Sequence, residues 1–281
     1  MAQRLKAEIV VADSRQVFRG LRIGSGRAGA EALALVPHHM LEVADPRAAY
    51  SVADFTGRAS ALIEEIHARG SRVVVEGGST LYVSALTQGL TLGEVPAQPK
   101  LRAELGRLSR EQLQARLRAL DEEAEVDLNN PVRVIRAIEL LEVAGGPLRR
   151  LRQRRPPPWE PVVIGLSASL QELRPRLEAR VGEMLTQGLI AETAGLLVRG
   201  VGRESQALRG IGYREVAAYL HGELDLARLR PRIVQATGQY ARRQLSWWRS
   251  HPEVHWLDWR LSASSLVELA LAWLDRREPA A

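Results

Sequence analysis

Short runs of β-branched and aliphatic residues alternate along this chain with longer stretches of helical periodicity. Strands that are separated by helices favour a parallel sheet with helices packed on its faces. The pattern therefore predicts an α/β fold. It predicts strands over Ala7–Ala12, His39–Val43, Arg72–Val75, Val162–Leu166 and Val254–Trp259, and helices over Val52–Ala68, Thr80–Thr87, Pro131–Val143 and Ser262–Arg277.

The region from 96 to 158 departs from this alternation, because it is charged and helical and has no strand pattern. It ends in an arginine-rich stretch, Arg149–Arg155, followed by three prolines that cannot continue a helix. We expect residues 1–95 and 159–281 to form an α/β core with C-terminal helices, and residues 96–158 to form a helical insertion.

Composition excludes several classes of protein. The chain has no cysteine, which excludes a disulfide scaffold, a thiolate nucleophile and a zinc finger. No uninterrupted apolar run approaches the length needed to span a bilayer, and the first residues do not form a charged and then apolar leader. These features predict a soluble cytoplasmic protein that does not interact with membranes.

The chain is basic, with 39 Lys+Arg against 33 Asp+Glu and a net charge of +6. Only Lys6 and Lys100 are lysines, and a codon preference explains a general arginine excess as well as function does. Local clusters are more informative than the total. Arg242, Arg243 and Arg249 accompany an aromatic set, and basic residues interleaved with aromatics indicate a nucleic-acid face. The aromatic residues are Tyr240, Trp247 and Trp248.

Two polar motifs follow predicted strands. Asp13 comes directly after the first strand, where an acid can accept a proton, bind a metal or cap the next helix, and capping is favoured when the motif is taken alone. Gly77, Gly78 and Ser79 follow the third strand and suit either an anion site or a tight turn with a helix cap. A functional role requires that another motif face the same pocket.

Two arginine motifs suit phosphate contacts. Arg133 and Arg136 lie three residues apart on one predicted helix face, which can clamp a phosphate backbone or simply face solvent. A glycine-flanked turn lies between Arg209 and Arg214 and is weakly typical of nucleic-acid contacts. Several motifs are absent from the sequence: neither lysine follows a glycine as a P-loop requires, and no metal-ligand spacing or Gly-x-Ser-x-Gly elbow occurs.

Taken in order, six blocks resemble the tRNA dimethylallyltransferase, or tRNA isopentenyltransferase, family. The resemblance implies a P-loop-NTPase-like parallel sheet flanked by helices, with a helical insertion domain that contacts tRNA. It also implies transfer of a dimethylallyl group from dimethylallyl diphosphate to N6 of the adenosine at position 37, beside the anticodon, with the base flipped into a tunnel. The blocks are Ala12–Gly24 (ADSRQVFRGLRIG), His38–Phe55 with HHMLEVADP and YSVADF, Val75–Tyr82 (VEGGSTLY), Asn129–Glu139 (NNPVRVIRAIE), Ala207–Glu215 (ALRGIGYRE) and Thr237–Arg249 (TGQYARRQLSWWR).

The same resemblance implies roles for individual residues. Asp13 matches the general base, Ser79 matches a position that helps to hold the adenine, and Arg180 matches an arginine near the diphosphate. It further implies Mg²⁺ to neutralise the diphosphate, a tRNA anticodon stem-loop as partner, and, as we expect, a monomer. The matching tRNA contacts are Asp13, Ser14, Arg15, Gln16, Arg102, Val132, Arg133, Val134, Ile135, Arg136, Arg209, Gly210, Ile211, Gly212, Tyr213 and Arg214.

The sequence departs from the family pattern in three places. Gly24–Ala28 replaces Gly-Thr-Ala-Lys-Pro, and Ser79 replaces threonine. The family's first strand, P-loop and first half-helix have no counterpart before Ala7–Ala12, so we expect the working protein to begin upstream and the chain as given to be weakly active or inactive. The alternatives are a tRNA-binding protein without transferase activity and, less favoured, a small-molecule adenylate prenyltransferase or nucleotide kinase.

Overall fold

A computed structural model of the chain describes residues 1–89, 95, 97–151 and 155–275. Arg152 and Arg154 of the predicted arginine cluster, and Arg276 and Arg277 of the predicted last helix, lie outside the described residues. The strands are β1 (Ala7–Val11), β2 (His38–His39), β3 (Arg72–Glu76), β4 (Val163–Ser167) and β5 (Val254–Asp258). The helices are α1 (Ala2–Leu5), α2 (Ala30–Leu35), α3 (Val52–Ala68), α4 (Thr80–Gln88), α5 (Pro99–Leu105), α6 (Arg110–Leu120), α7 (Pro131–Ala144), α8 (Leu148–Leu151), α9 (Leu170–Thr186), α10 (Leu189–Val198), α11 (Tyr213–Leu220), α12 (Leu226–Arg249) and α13 (Ala263–Asp275).

The strands pair in parallel, which confirms the predicted α/β class. One sheet has the order β2-β1-β3, and a second pairs β4 with β5. The β1–β3 register runs from Ala7 opposite Arg72 to Val11 opposite Glu76. Because these two strands end side by side, the residues that follow them meet at one edge of the sheet. The predicted absence of a first strand and P-loop stays a prediction.

The predicted second strand, His39–Val43, is wrong in its extent. β2 covers only His38–His39, which pair with Ile9 and Val10 of β1. Met40 and Glu42 then adopt positive φ angles of 66° and 52°, a conformation that residues other than glycine rarely take and that does not continue a regular strand. The apolar run therefore bends away from the sheet immediately after the two histidines.

Local capping explains where several helices begin. Ser109 opens α6 and Ser169 opens α9, each in a reciprocal capping box with a residue three positions later, Gln112 and Glu172 respectively. The Asn130 side chain accepts a hydrogen bond from the Arg133 N–H, and proline follows it at the first position of α7. The sequence thus fixes these starts by short-range chemistry.

The chain divides into two compact units, and the predicted domain boundaries stay a prediction beside this division. The first unit comprises Met1–Tyr50, Arg58–Val83 and Trp159–Ala281, and the second comprises Ser51–Gly57 and Ser84–Pro158. In the first unit α9 packs on α12 and α10 packs on α11. The second unit has its own apolar core, built from α5, α6, α7 and α8. No helix in the described ranges is long and apolar enough to cross a membrane.

Candidate active site

The chain turns sharply after β1, and Asp13 lies in this turn. Asp13 Oδ1 accepts hydrogen bonds from the backbone N–H groups of Arg15 (2.7 Å) and Gln16 (3.2 Å). The carboxylate therefore caps local backbone, although the residues after it form a turn and not the helix expected of a cap. Within the described residues no hydrogen bond is found to Asp13 Oδ2, so this oxygen keeps its capacity to accept a proton.

The glycine turn after β3 brings Ser79 against the Asp13 turn. Ser79 Oγ accepts a hydrogen bond from the Ser14 N–H at 2.8 Å, and the Ser79 N–H donates to the Ala12 carbonyl at 3.3 Å. Gly77 permits this approach, because a Cβ at that position would lie 2.2 Å from the Ala12 carbonyl oxygen. The two motifs that follow separate strands thus face one another.

A pair of polar side chains on α12 holds the same glycine turn. Tyr240 Oη and Gln244 Nε2 both donate to the Gly78 carbonyl, at 2.5 Å and 2.7 Å. Burial raises the pKa of Tyr240 and the Asp13 charge raises it further, which keeps the hydroxyl protonated as a donor at neutral pH. Sequence reasoning placed Tyr240 in a nucleic-acid face and did not single out Gln244. The signal available was the four-residue spacing between them on one helix.

Arg15 joins the Asp13 turn to the loop that precedes α11. Its guanidinium donates to the Gln206 carbonyl, and the Gln206 side chain binds both the N–H and the carbonyl of Tyr50 at 2.9 Å. Burial lowers the pKa of Arg15, and the Asp13 charge opposes that shift. A Cβ on Gly210 would lie 2.8 Å from Arg15 Cδ, so Gly210 leaves room for the arginine stem. Two predicted tRNA-contacting motifs are therefore in direct contact.

Glu192, on α10, fixes the loop that follows the Asp13 turn. Its carboxylate accepts hydrogen bonds from three successive N–H groups, those of residues 22, 23 and 24, at 2.9–3.2 Å. The buried Tyr213 hydroxyl donates to the same carboxylate at 2.6 Å. Burial and then the Glu192 charge raise the pKa of Tyr213. Sequence reasoning missed Glu192, since nothing in its helical pattern distinguishes it from a surface acid.

A second carboxylate, Glu42, holds the other side of this loop. It accepts hydrogen bonds from the Gly20 N–H at 2.9 Å, from Arg22 at 3.1 Å and 3.2 Å, and from Arg27. Burial raises the pKa of Glu42, but the hydrogen bonds from Arg22 and Gly20 and the Arg27 charge outweigh it and leave the pKa below its usual value. Arg27, which stands where the family has lysine, therefore forms an ion pair with Glu42.

Arg180, on α9, lies over the same loop at Gly26. A Cβ on Gly26 would fall 1.9 Å from Arg180 Nη2, and Gly26 has a φ angle of +65° that glycine adopts freely. Gln16 Nε2 donates to the Ser25 carbonyl at 3.4 Å, which connects the loop back to the Asp13 turn. The predicted diphosphate arginine therefore contacts a loop that is hydrogen-bonded to the turn of the predicted base.

The predicted tRNA contacts differ in exposure. In the Arg209–Arg214 block, Arg209 and Arg214 have exposed side chains, whereas Gly210, Gly212 and Tyr213 are buried. These arginines have acidic neighbours: Arg214 pairs with Glu215 at 2.5 Å, and Arg209 lies 3.8 Å from Glu204. The glycines and Tyr213 of this block are thus buried, and the two arginine side chains are exposed on its surface.

In the second unit, two predicted tRNA-contacting arginines bind one buried acid. Glu139 has a fully buried side chain and accepts hydrogen bonds from Arg102 (2.7 Å and 2.9 Å), from Arg136 (2.5 Å) and from the Gln98 N–H (2.5 Å). Burial raises the pKa of Glu139, but these hydrogen bonds and the Arg102 charge prevail and lower it to about 2. Sequence reasoning did not identify Glu139 as the partner of these arginines.

The remaining predicted contacts on α7 also differ. Val132 and Arg133 are exposed, and Arg133 lies 3.8 Å from Asp127. Val134 is buried in the core of the second unit, and Ile135 packs against that core. Only part of the Val132–Arg136 block therefore presents side chains outwards.

The predicted Mg²⁺ lacks a protein cage in the described ranges. No group of three or more His, Asp or Glu side chains in residues 1–89, 95, 97–151 and 155–275 is placed to hold a metal ion. The donor set around Asp13 is one carboxylate among arginines and hydroxyls, which does not by itself fit the oxygen-rich octahedral shell of Mg²⁺.

The structure is that of an α/β protein with a cluster of polar residues beyond the carboxyl ends of its parallel strands, where proteins of this architecture bind their ligands. The chain belongs to the IPP transferase family, whose model matches residues 16–251.

Two proteins of this family show how far the similarity extends. The tRNA dimethylallyltransferase of Thermosynechococcus vestitus is 38% identical over 272 residues, which cover 96% of this chain and 87% of that protein. The crystal structure of the full-length tRNA isopentenylpyrophosphate transferase of Bacillus halodurans is 34% identical, with a TM-score of 0.73, and covers 98% of this chain and 89% of that one. A eukaryotic dimethylallyltransferase acting on tRNA, 21% identical, has the same fold with a TM-score of 0.81, covering 100% of this chain and 76% of that one.

Proposed function

We propose that the chain transfers a dimethylallyl group from dimethylallyl diphosphate to N6 of the adenosine at position 37 of tRNA, beside the anticodon. The observation that carries the proposal is the juxtaposition of the Asp13 and Ser79 turns at one edge of the sheet, in a chain of the IPP transferase family. The similarity to a tRNA dimethylallyltransferase and to a tRNA isopentenylpyrophosphate transferase supports it.

The chemistry requires a base and a stabilised leaving group, because an amine conjugated into adenine is a poor nucleophile. In the proposed step the N6 nitrogen forms a bond to C1 of the dimethylallyl group. The C1–O bond breaks and its electron pair leaves with the diphosphate. Asp13 Oδ2, to which no hydrogen bond is found among the described residues, takes the proton that N6 loses.

Ser79 has a hydroxyl group that can orient the adenine ring of the tRNA substrate. Its Oγ accepts from the Ser14 N–H and lies beside the Tyr240 hydroxyl, so its hydroxyl proton is the group that it would turn towards an acceptor nitrogen of the adenine ring. Arg180 is our proposed partner for the diphosphate, since its planar fork suits phosphate oxygens. Mg²⁺ enters the proposal only as a companion of the donor, whose diphosphate oxygens are hard ligands.

The arginines with exposed side chains supply the tRNA contact in this proposal. Arg209 and Arg214 lie in the first unit, and Arg133 lies in the second. Arginine suits phosphate contacts, and such contacts position a nucleic acid without reading its sequence. We further propose that the protein acts as a monomer in the cytoplasm, on the anticodon stem-loop.

The test incubates the 281-residue chain with radiolabelled dimethylallyl diphosphate and tRNA, followed by nucleoside digestion. We expect labelled N6-dimethylallyladenosine, formed at the low rate expected of this chain, from a tRNA with adenosine at position 37, and none from a matched tRNA with guanosine there. Binding of tRNA without any labelled product would overturn the proposal and establish the binding-only alternative. No observation favours that alternative over the transferase.

A further inference from the structure

The Gly78 carbonyl accepts two side-chain hydrogen bonds from one helix, α12. Tyr240 and Gln244, one turn apart on α12, both donate to this single oxygen. Gly78 makes the approach possible, because a Cβ there would lie 2.6 Å from Gln244 Nε2 and 3.1 Å from Tyr240 Oη. The absence of a side chain at Gly78 thus lets a helix distant in sequence reach the backbone of the turn.

The supported carbonyl immediately precedes the residue that meets the Asp13 turn. Ser79 accepts from the Ser14 N–H, and its own N–H donates to the Ala12 carbonyl. These two hydrogen bonds flank Asp13 in sequence. A shift of the Gly78 peptide therefore moves Ser79, and with it the backbone on both sides of Asp13.

We infer that Tyr240 and Gln244 are positioning residues for the transfer reaction, holding Ser79 against the Asp13 turn through the Gly78 carbonyl. The expected effect on the transfer rate rests on the proposed function. The expected effect on the contact between Ser79 and the Asp13 turn rests on the geometry alone. Neither side chain needs to touch tRNA or the donor for this role.

The kinetic test uses Tyr240→Phe and Gln244→Met, which remove a donor and keep the size of the side chain. We expect each to lower kcat about 10-fold, with KM for tRNA and donor changed less than about twofold, because misplaced reacting groups slow the chemical step more than binding. Gln239→Met is the matched control, since Gln239 is exposed on the same helix. Unchanged kcat in both variants would overturn the inference.

A double-mutant cycle separates positioning from general support of the fold. In a Ser79→Ala background, Tyr240→Phe is expected to lower kcat less than about twofold, because the hydroxyl that it positions is gone. A role confined to stability predicts the full effect in both backgrounds. Full additivity of the two changes would contradict the inference.

A second readout does not depend on activity. The Ser14 N–H is held by Ser79 Oγ, so hydrogen exchange at this amide reports the contact directly. We expect Tyr240→Phe and Gln244→Met to speed Ser14 exchange about 10-fold, relative to Gln239→Met. Unchanged exchange overturns the positioning role. If the parent chain makes no product but Ser14 exchange responds as expected, the proposed function fails and the positioning contact stands.

Discussion

Glu139→Gln is expected to destabilise the second unit more than any other single carboxylate-to-amide change there. The wild-type carboxylate is fully buried and binds two arginines and a backbone N–H. The variant keeps the shape of the side chain but turns an amide NH₂ towards guanidinium donors. The two arginines then lose their shared counter-charge.

The pKa of Glu139 sets the size of the effect. It falls from an ordinary value of 4.5 to about 2, which corresponds to about 3 kcal/mol of stability for the charged form. Because the folded pKa is depressed, this stability is fully present above about pH 4.5 and is lost as the pH falls towards 2. Arg102 and Arg136 remain 44% and 26% exposed, so solvent screening makes 3 kcal/mol an upper value.

Amide hydrogen exchange of α6 and α7 in mild urea is the suitable assay, because every tryptophan lies in the first unit. Glu142→Gln is the matched control: Glu142 lies on the same helix, but its partner is Arg116 nearer the surface, and we expect a loss of less than about 1 kcal/mol. If Glu139→Gln costs no more than this control, or if its stability depends on pH as the parent's does, the reasoning is refuted.

Three further predictions concern the first unit, the helix α3 and the tRNA complex. Gly77→Ala drives a Cβ into the Ala12 carbonyl and should lower both the melting temperature and the transfer rate. Gly57→Ala has open space around it in α3 and should stabilise the chain by about 0.5–1 kcal/mol. Thermal unfolding of the two variants beside the parent chain tests both stability changes. Tyr213→Phe removes the hydroxyl that donates to Glu192 and should lower the free energy of unfolding by about 1–2 kcal/mol. An unchanged midpoint of denaturant unfolding would contradict a stabilising role for this hydrogen bond. Binding of tRNA should weaken steeply with salt, and a flat dependence would rule out contacts with several phosphates.

Much of the fold followed from local pattern. Helix α3 begins and ends where its periodicity does, and β1, β3, β4 and β5 lie within one or two residues of their predicted bounds. The extent of the second strand was not predicted correctly, because Met40 and Glu42 take left-handed conformations that an apolar run does not reveal. Glu42 binds the Gly20 N–H and two arginines from that position, so tertiary contacts outweigh its local preference.

The candidate site was predictable only in part. Asp13 and Ser79 follow strands, and parallel strands bring such residues to one edge. Glu192 and Gln244 could not be found this way, since each lies on a helix and acts on a turn far away in sequence. Arg102 stays a predicted tRNA contact, and motif matching did not reveal that its guanidinium also binds Glu139.

The central claim is that Asp13 takes the proton from N6, and Asp13→Ala tests it most directly. The measurement is the single-turnover rate of dimethylallyl transfer beside the Kd for tRNA, with Glu64→Gln as a control at an exposed acid of α3. A carboxylate that acts as the base contributes to the chemical step, so we expect transfer to be abolished and tRNA affinity to stay within about twofold. Loss of tRNA affinity by the same factor as the rate would contradict the role assigned to Asp13.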